Sequence, residues 1–203
     1  MSSGVGAAAS SAPAAGLRAF DRKVTVAELI LRCSIVGLGV AAAVLVGSDS
    51  QVRTIFSIRK KAQFTDMKSL VFLVAANGVA AGYSLLQMVR CAVSMARGRP
   101  LFSKPLAWAI FSGDQVMAYV TVAGVAAALQ GAVVAEMGEE ELQWMKTCDL
   151  YRRFCRQAGE GIAAAVLVTL AMIGLSCISA FSLFRLYEGD GGRRRSRKSS
   201  PGW

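Results

Sequence analysis

Apolar residues in this chain gather in four long blocks, separated by short polar segments. We place the blocks at residues 26–46, 70–89, 105–134 and 162–186. Each has about 20 residues or more, the length that an α-helix needs to cross a hydrocarbon core of about 30 Å. Helices buried in a soluble bundle would carry a polar stripe every 3.6 residues, and these blocks lack one. The pattern therefore predicts four transmembrane helices.

The segments around the blocks complete the predicted architecture. Turn residues of the sequence GSDS follow the first block, and Pro105 opens the third, where a helix tolerates proline well. Residues 1–16 have no charge and no Leu-rich core, so they do not resemble a secretory signal. We predict an all-α, four-helix transmembrane bundle: a disordered N-terminal tail over 1–25, a membrane domain over 26–187, and a disordered basic tail over 188–203.

The distribution of Lys and Arg predicts the orientation of the bundle. The side that carries both termini has 13 of these residues and the other side has nine. Since the richer side usually faces the cytosol, both termini are expected to be cytosolic. The net charge is +10, and the basic residues lie beside the apolar blocks. This placement favours anionic lipids of the inner leaflet as partners rather than nucleic acid. Five residues of the tail are expected to contact these lipids, or to act as a topology signal only: Arg193, Arg194, Arg195, Arg197 and Lys198.

Two charged residues, Arg32 and Asp114, lie well inside predicted spans, away from the span ends. Burying a charge at the centre of a bilayer costs about 2.5–3.5 kcal/mol on insertion scales. Spans 1 and 3 run in the same direction, so the two residues lie at similar depths, and we predict that they form an intramembrane ion pair. Arg32 has two alternatives, which are snorkelling to the head groups and an i,i+4 pair with Glu28. One acid and one base do not make a proton or ion pathway across the bilayer.

Small residues and cysteines suggest two further structural sites. Gly78 and Gly82 form a GxxxG pattern beside Asn77 in span 2, and such residues pack helices together, within the bundle or between subunits. Cys148 and Cys155 share the last loop, which the predicted orientation places on the oxidising side of the membrane. An extracellular disulfide is therefore predicted there, with two free thiols as the alternative.

Together these residues resemble the plant Casparian strip membrane domain protein-like (CASP-like) family, near its second subgroup, a relative of the MARVEL tetraspan proteins. The resemblance covers about residues 26–187. It is carried by Arg32 and Asp114 in spans 1 and 3, by the run from Phe64 to Asn77, and by one loop series: Trp144, Cys148, Phe154 and Cys155. Trp144 and Phe154 are expected to pack against the bridged loop, to lie at the outer head groups, or to form a partner surface.

The resemblance implies a plasma-membrane scaffold that forms oligomers with itself and with related tetraspan proteins. Founding members of the family build a membrane platform and recruit lignin-polymerising enzymes to the wall, so cell-wall enzymes become candidate partners. The first outer loop of this chain is basic and departs from the founding members.

Two other functional classes are alternatives to the scaffold. A small channel or transporter subunit is the alternative, although the polar residues within the spans are few and scattered. The chain has no histidine and no catalytic or metal-binding motif, so we predict no enzymatic activity and no cofactor.

Overall fold

The computed structural model describes residues 11–55, 58–96, 104–138 and 146–198, with side chains over 22–52, 61–93, 105–138 and 146–187. The helices and strands follow in chain order: α1 (Ser11–Gly47), β1 (Ser50–Ile55), β2 (Ile58–Gln63), a 3-10 turn (Phe64–Asp66), α2 (Lys68–Ala96), α3 (Lys104–Met137), α4 (Thr147–Leu150) and α5 (Arg152–Lys198).

Four of these helices are long and apolar enough to cross a membrane. The qualifying segments contain all four predicted spans: Arg22–Gly47, Lys68–Val93, Pro105–Met137 and Arg152–Tyr187. The third ends where Gly138 takes a positive φ of 71°, a left-handed conformation that suits glycine just after a helix. The predicted all-α, four-helix transmembrane fold is therefore confirmed.

The four long helices form a ring in which each packs against two antiparallel neighbours. The neighbouring pairs are α1–α2, α2–α3, α3–α5 and α1–α5. Helices α1 and α3 therefore lie across a diagonal and run in the same direction. We call the end where α1 begins and α5 ends the terminal end, and the opposite one the loop end.

Among the described side chains, the core has two clusters of buried residues along the axis of the ring. The cluster at the loop end joins α1, α2, α3 and α5 through residues such as Val46, Leu73, Ala128 and Ala165. The second lies nearer the terminal end around Ile35, Ala118, Met172 and Leu175. Many large apolar residues instead point outward, as expected for helices in lipid: Val40, Val44, Leu85, Leu86, Leu167, Leu170 and Phe184.

Two regions differ from the sequence-based expectation. The segment between the first two spans contains an antiparallel β-hairpin, with Ser50 opposite Gln63 and Val52 opposite Lys61. Helices α1 and α5 also extend through residues 11–25 and 188–198, which the sequence predicts as parts of disordered tails. Alanine favours the helix in the first segment, and arginine and lysine over residues 193–198 favour it at the end of the second, although three glycines precede them.

Candidate functional site

The bundle interior holds a network of three charged side chains, with Arg32 at its centre. Its Nη2 lies 3.3 Å from each carboxylate oxygen of Asp114, across the diagonal from α1 to α3. Its Nε and Nη2 also donate to Oε1 of Glu28, at 3.0 and 2.9 Å. The sequence analysis treated these partners as alternatives, but the structure places both on the same guanidinium group.

Burial differs sharply among the three side chains. The side chains of Arg32 and Asp114 are 2% and 0% exposed, whereas that of Glu28 is 34% exposed at the terminal end. Asp114 also interacts with the hydroxyl groups of Tyr83 and Ser179, and the Tyr83 ring lies 6.0 Å from the Arg32 guanidinium carbon. Residues of all four membrane-spanning helices therefore surround the charges.

The predicted helix-packing residues of span 2 lie on different sides of α2. Asn77 is buried, and its side-chain amide donates to the Leu73 carbonyl oxygen at 2.9 Å. A Cβ placed on Gly78 or Gly82 would meet no heavy atom within 4 Å in the part of the chain that the structure describes. These two glycines do not pack within the bundle, and their surface remains open.

Other glycines, which the sequence analysis did not identify, bring the helices together. A Cβ on Gly39 would lie 3.3 Å from Ala81 Cβ on α2, and one on Gly124 would lie 3.2 Å from Ala76 Cβ. At Gly113 it would lie 2.5 Å from the Tyr83 hydroxyl. The sequence could not distinguish these positions, because 20 glycines are spread along the chain.

At the loop end, a disulfide joins Cys148 to Cys155, the two cysteines for which it was predicted. The bridge links α4 to the start of α5. Phe154 is 3% exposed within the core cluster of the loop end, and its N–H donates to Oε1 of Gln51 at 3.1 Å. Phe154 therefore packs beneath the bridged loop and not on a partner surface, while Trp144 lies outside the described residues.

Breaking this disulfide should loosen the loop end without unfolding the bundle. A loop of this length contributes roughly 2 kcal/mol in a chain-entropy model. We expect Cys148→Ser with Cys155→Ser to lower the free energy of unfolding by about that amount. Cys91→Ser, which changes a cysteine of α2 at the terminal end of the bundle, should alter it little. Thermal unfolding in detergent measures both. Equal alkylation of Cys148 and Cys155 with and without reductant would show that they do not form a disulfide.

The hairpin is docked on α5 beside a buried acid, Asp49. Nearby, Gln157 of α5 donates from its side-chain Nε2 to the Leu45 carbonyl oxygen of α1 at 2.8 Å. Asp49 is 3% exposed, and its Oδ2 has no hydrogen-bond partner among the described residues. Burial raises the pKa of Asp49 from 3.8 to about 6, although the positive charge of Arg153 opposes the rise. Near neutral pH the buried Asp49 carboxylate is therefore ionised, which lowers the stability of the folded protein.

Acidification should stabilise the loop end through Asp49. The folded protein takes up a proton near pH 6 and the unfolded chain only near pH 3.8, so stability should rise as pH falls between these values. The gain should be about 1–3 kcal/mol, at 1.36 kcal/mol per pKa unit. Thermal unfolding between these pH values should show it in the wild type and in Asp149→Asn, which removes an exposed acid from the same end. If Asp49→Asn kept the wild-type dependence of stability on pH, the effect would not come from Asp49.

The predicted lipid-contact residues of the tail give no geometry for a site. The five basic residues of the tail, Arg193, Arg194, Arg195, Arg197 and Lys198, belong to α5, but their side chains are outside the described set. Among the described residues, no group of Cys, Asp and Glu side chains is arranged to hold a metal ion.

Comparison with known proteins identifies the family. The Casparian strip membrane protein domain matches residues 21–171. CASP-like protein 2B1 of Ricinus communis is 64% identical over 197 residues, which cover 96% of this chain and 98% of the relative. CASP-like protein 2B2 of Populus trichocarpa is 64% identical over 181 residues, covering 89% and 90%. No solved structure matches the chain. This chain therefore belongs to the CASP-like family of plant membrane proteins, in its subgroup 2B.

Proposed function

We propose that this multi-pass membrane protein is a non-enzymatic scaffold of the plasma membrane. It associates with itself and with related tetraspan proteins and organises a membrane domain at the junction with the cell wall. Both termini face the cytosol in this proposal, so the hairpin and the disulfide-bridged loop face the wall. Cell-wall enzymes are the candidate partners for that face, and anionic lipids of the inner leaflet for the basic tail.

The observation that carries the proposal is the open glycine surface of α2. Gly78 and Gly82 lie one helical turn apart, and a Cβ on either would have no neighbour within 4 Å among the described residues. In lipid, helices associate through close backbone packing, and small residues four positions apart permit it. The sequence alone does not distinguish packing within the bundle from packing between subunits. The open surface favours the second.

The residues around the two glycines suit contact with another helix. Val79, Leu85 and Leu86 are exposed on the same helix and are apolar. Large side chains on either side of a small-residue groove supply the van der Waals contacts that stabilise such pairs. A second copy of α2, or the matching helix of a related protein, would fill this groove.

Enlarging both glycines should separate the subunits while leaving each bundle intact. Gly78→Leu with Gly82→Leu adds side chains where the monomer has free space, so the monomer should fold normally. We expect the dissociation constant in liposomes, measured by energy transfer between labelled copies, to rise at least about tenfold. Gly37→Leu is the matched control, because Gly37 is a helical glycine of α1 that is also without neighbours.

Imaging in plant cells connects this interface with the proposed role. A tagged wild-type protein and the Gly37→Leu control should form immobile patches in the plasma membrane, and the double glycine variant should spread and diffuse. Unchanged energy transfer in the double variant would show that the glycine surface of α2 is not the interface. An even distribution of the wild-type protein would count against the scaffold itself.

A further inference from the structure

The outer surface of α3 presents a tyrosine hydroxyl group to the lipid. The side chain of Tyr119 is 66% exposed, and its hydroxyl group has no hydrogen-bond partner among the described residues. Ser112 and Trp108, nearer the terminal end, are also exposed, but each donates a hydrogen bond. The Ser112 hydroxyl donates to the Trp108 carbonyl oxygen, and Nε1 of Trp108 donates to the Tyr187 hydroxyl at 3.1 Å. Tyr119 therefore differs from its exposed polar neighbours on the same helix.

The contact between Arg32 and Asp114 gives the depth of Tyr119 in the membrane. Helices α1 and α3 run in the same direction, so residues that differ by 82 in number lie at about the same level. The predicted span 26–46 of α1 then corresponds to residues 108–128 of α3. Tyr119 lies next to the middle of this range, about 14 Å or more from either edge. Its side chain cannot reach the head groups from there.

A hydroxyl group at this depth needs a partner from outside the described chain. The hydrocarbon core supplies neither water nor any other hydrogen-bonding group, so an unpaired hydroxyl there is costly. The parts of the chain that the structure does not describe adjoin the ends of the helices. The nearest of these positions along α3 is about 22 Å from Tyr119, at 1.5 Å per residue. The partner should therefore belong to another protein molecule and lie at the same depth.

A second copy of this chain meets both requirements. Copies of one chain insert in one orientation, so a two-fold axis normal to the membrane would pair two α3 helices in parallel, with Tyr119 opposite Tyr119. A tyrosine hydroxyl both donates and accepts, so one copy can donate to the other.

The residues around Tyr119 on α3 have the spacing of a parallel helix pair. Val116, Tyr119, Ala123 and Ala126 follow at intervals of three and four residues, and all four are exposed. This spacing forms the contact line of a left-handed pair of helices. The two alanines are small enough for the helix backbones to approach closely beyond the tyrosines.

We propose that α3 pairs with α3 of a second copy through Val116, Tyr119, Ala123 and Ala126, with the two Tyr119 hydroxyls bonded at the centre of the bilayer. This surface lies on a different helix from the glycine surface of α2 and does not depend on it. The α3 pair should be the weaker of the two, because a tyrosine keeps the helices further apart than glycines do.

Two surfaces on one bundle would allow an assembly larger than a dimer. A single two-fold pair closes as a dimer. Two different two-fold pairs with parallel axes instead place the copies in an open row, since two successive half-turns about parallel axes amount to a translation. This consequence rests on the proposed α2 interface, whereas the α3 pair itself does not.

Disulfide cross-linking of the full-length protein in liposomes tests the pair. Ala123→Cys, in a background of Cys33→Ser, Cys91→Ser and Cys177→Ser, should give linked dimers when oxidised with copper phenanthroline. Val40→Cys in the same background is the matched control, because Val40 is 52% exposed on α1 at nearly the same depth. At equal protein density the control should give at least about tenfold less dimer.

Removing the hydroxyl group tests the hydrogen bond. Tyr119→Phe keeps the ring and changes only a group that faces lipid, so each bundle should fold normally. The dissociation constant of the α3 pair should rise about threefold to thirtyfold, as for other hydrogen bonds between membrane helices. Energy transfer between labelled copies of Gly78→Leu with Gly82→Leu, at high protein density, measures the α3 pair without the α2 contact.

Several outcomes would overturn the proposal. Equal cross-linking of Ala123→Cys and Val40→Cys would mean random collision and no pair. An unchanged dissociation constant in Tyr119→Phe would show that the hydroxyl group is not in the contact. Links between Ala123→Cys and Ala75→Cys in a mixture, with none in Ala123→Cys alone, would identify α2 of the neighbour as the partner. None of these results would affect the test of Gly78 and Gly82, so the two interfaces can fail separately.

Discussion

Replacing Arg32 with Leu should reduce delivery of the protein to the cell surface to about a tenth of the wild-type level or less. The change leaves Asp114 fully buried and Glu28 partly buried without their shared cation. Removing one partner of a buried ion pair costs about 3–5 kcal/mol in soluble proteins, and a bilayer should make the cost at least comparable. Lys23→Leu, which removes an exposed cation from the same helix, should leave delivery unchanged.

Asp114→Leu should be milder, because Arg32 keeps a partner. Two hydrogen bonds to Glu28, at 3.0 and 2.9 Å, would continue to neutralise the guanidinium group. The double change Arg32→Leu with Asp114→Leu should recover most of the delivery, since it removes both fully buried charges and leaves only Glu28, which can reach water at the terminal end.

Surface biotinylation and thermal unfolding of the purified variants provide the measurements. The structure predicts the order wild type, then Asp114→Leu and the double variant, then Arg32→Leu. If Asp114→Leu proved as damaging as Arg32→Leu, Glu28 would not be a sufficient partner. If Arg32→Leu behaved like Lys23→Leu, the network would not hold the bundle together.

The sequence predicted those features that depend on the membrane as a solvent. Apolar runs of sufficient length must become helices, because every backbone polar group in lipid needs an internal partner. The proximity of Arg32 and Asp114 could be predicted for the same reason, since a short acid at membrane depth requires a cation and Arg32 is the only basic residue that lies well inside a predicted span. That Arg32 bonds to both Glu28 and Asp114 could not be predicted, because it depends on which face of α1 points inward, and the sequence does not specify that orientation.

Packing between helices was predicted less well, because it depends on which face of each helix points inward. The GxxxG pattern of Gly78 and Gly82 was visible, but the structure turns it outward. The helices approach each other closely at isolated glycines such as Gly124, which belong to no sequence motif. The hairpin was missed although its signal was present: Val52, Thr54, Ile55 and Ile58 are β-branched residues in two short runs.

The close contact between α1 and α5 at Gly161 should be highly sensitive to a single methyl group. Gly161 is buried, and a Cβ there would overlap the side chain of Val46 and lie 3.6 Å from the Ala42 carbonyl oxygen. A β-branched side chain such as that of Val46 has few rotamers into which it can move. We therefore expect Gly161→Ala to lower the free energy of unfolding by about 1–3 kcal/mol, the usual cost of overpacking a core.

The same chain provides both a control and a rescue for this prediction. Gly159 lies two residues earlier on α5 and has no neighbour within 4 Å, so Gly159→Ala should be neutral or stabilise the protein by up to about 1 kcal/mol through helix propensity. Combining Gly161→Ala with Val46→Ala removes the overlap, so the double variant should be more stable than the sum of the two single effects predicts. Chemical unfolding in detergent measures this coupling. Strict additivity would mean that α1 and α5 separate enough to admit the methyl group, and the close approach at Gly161 would then not determine how the two helices pack.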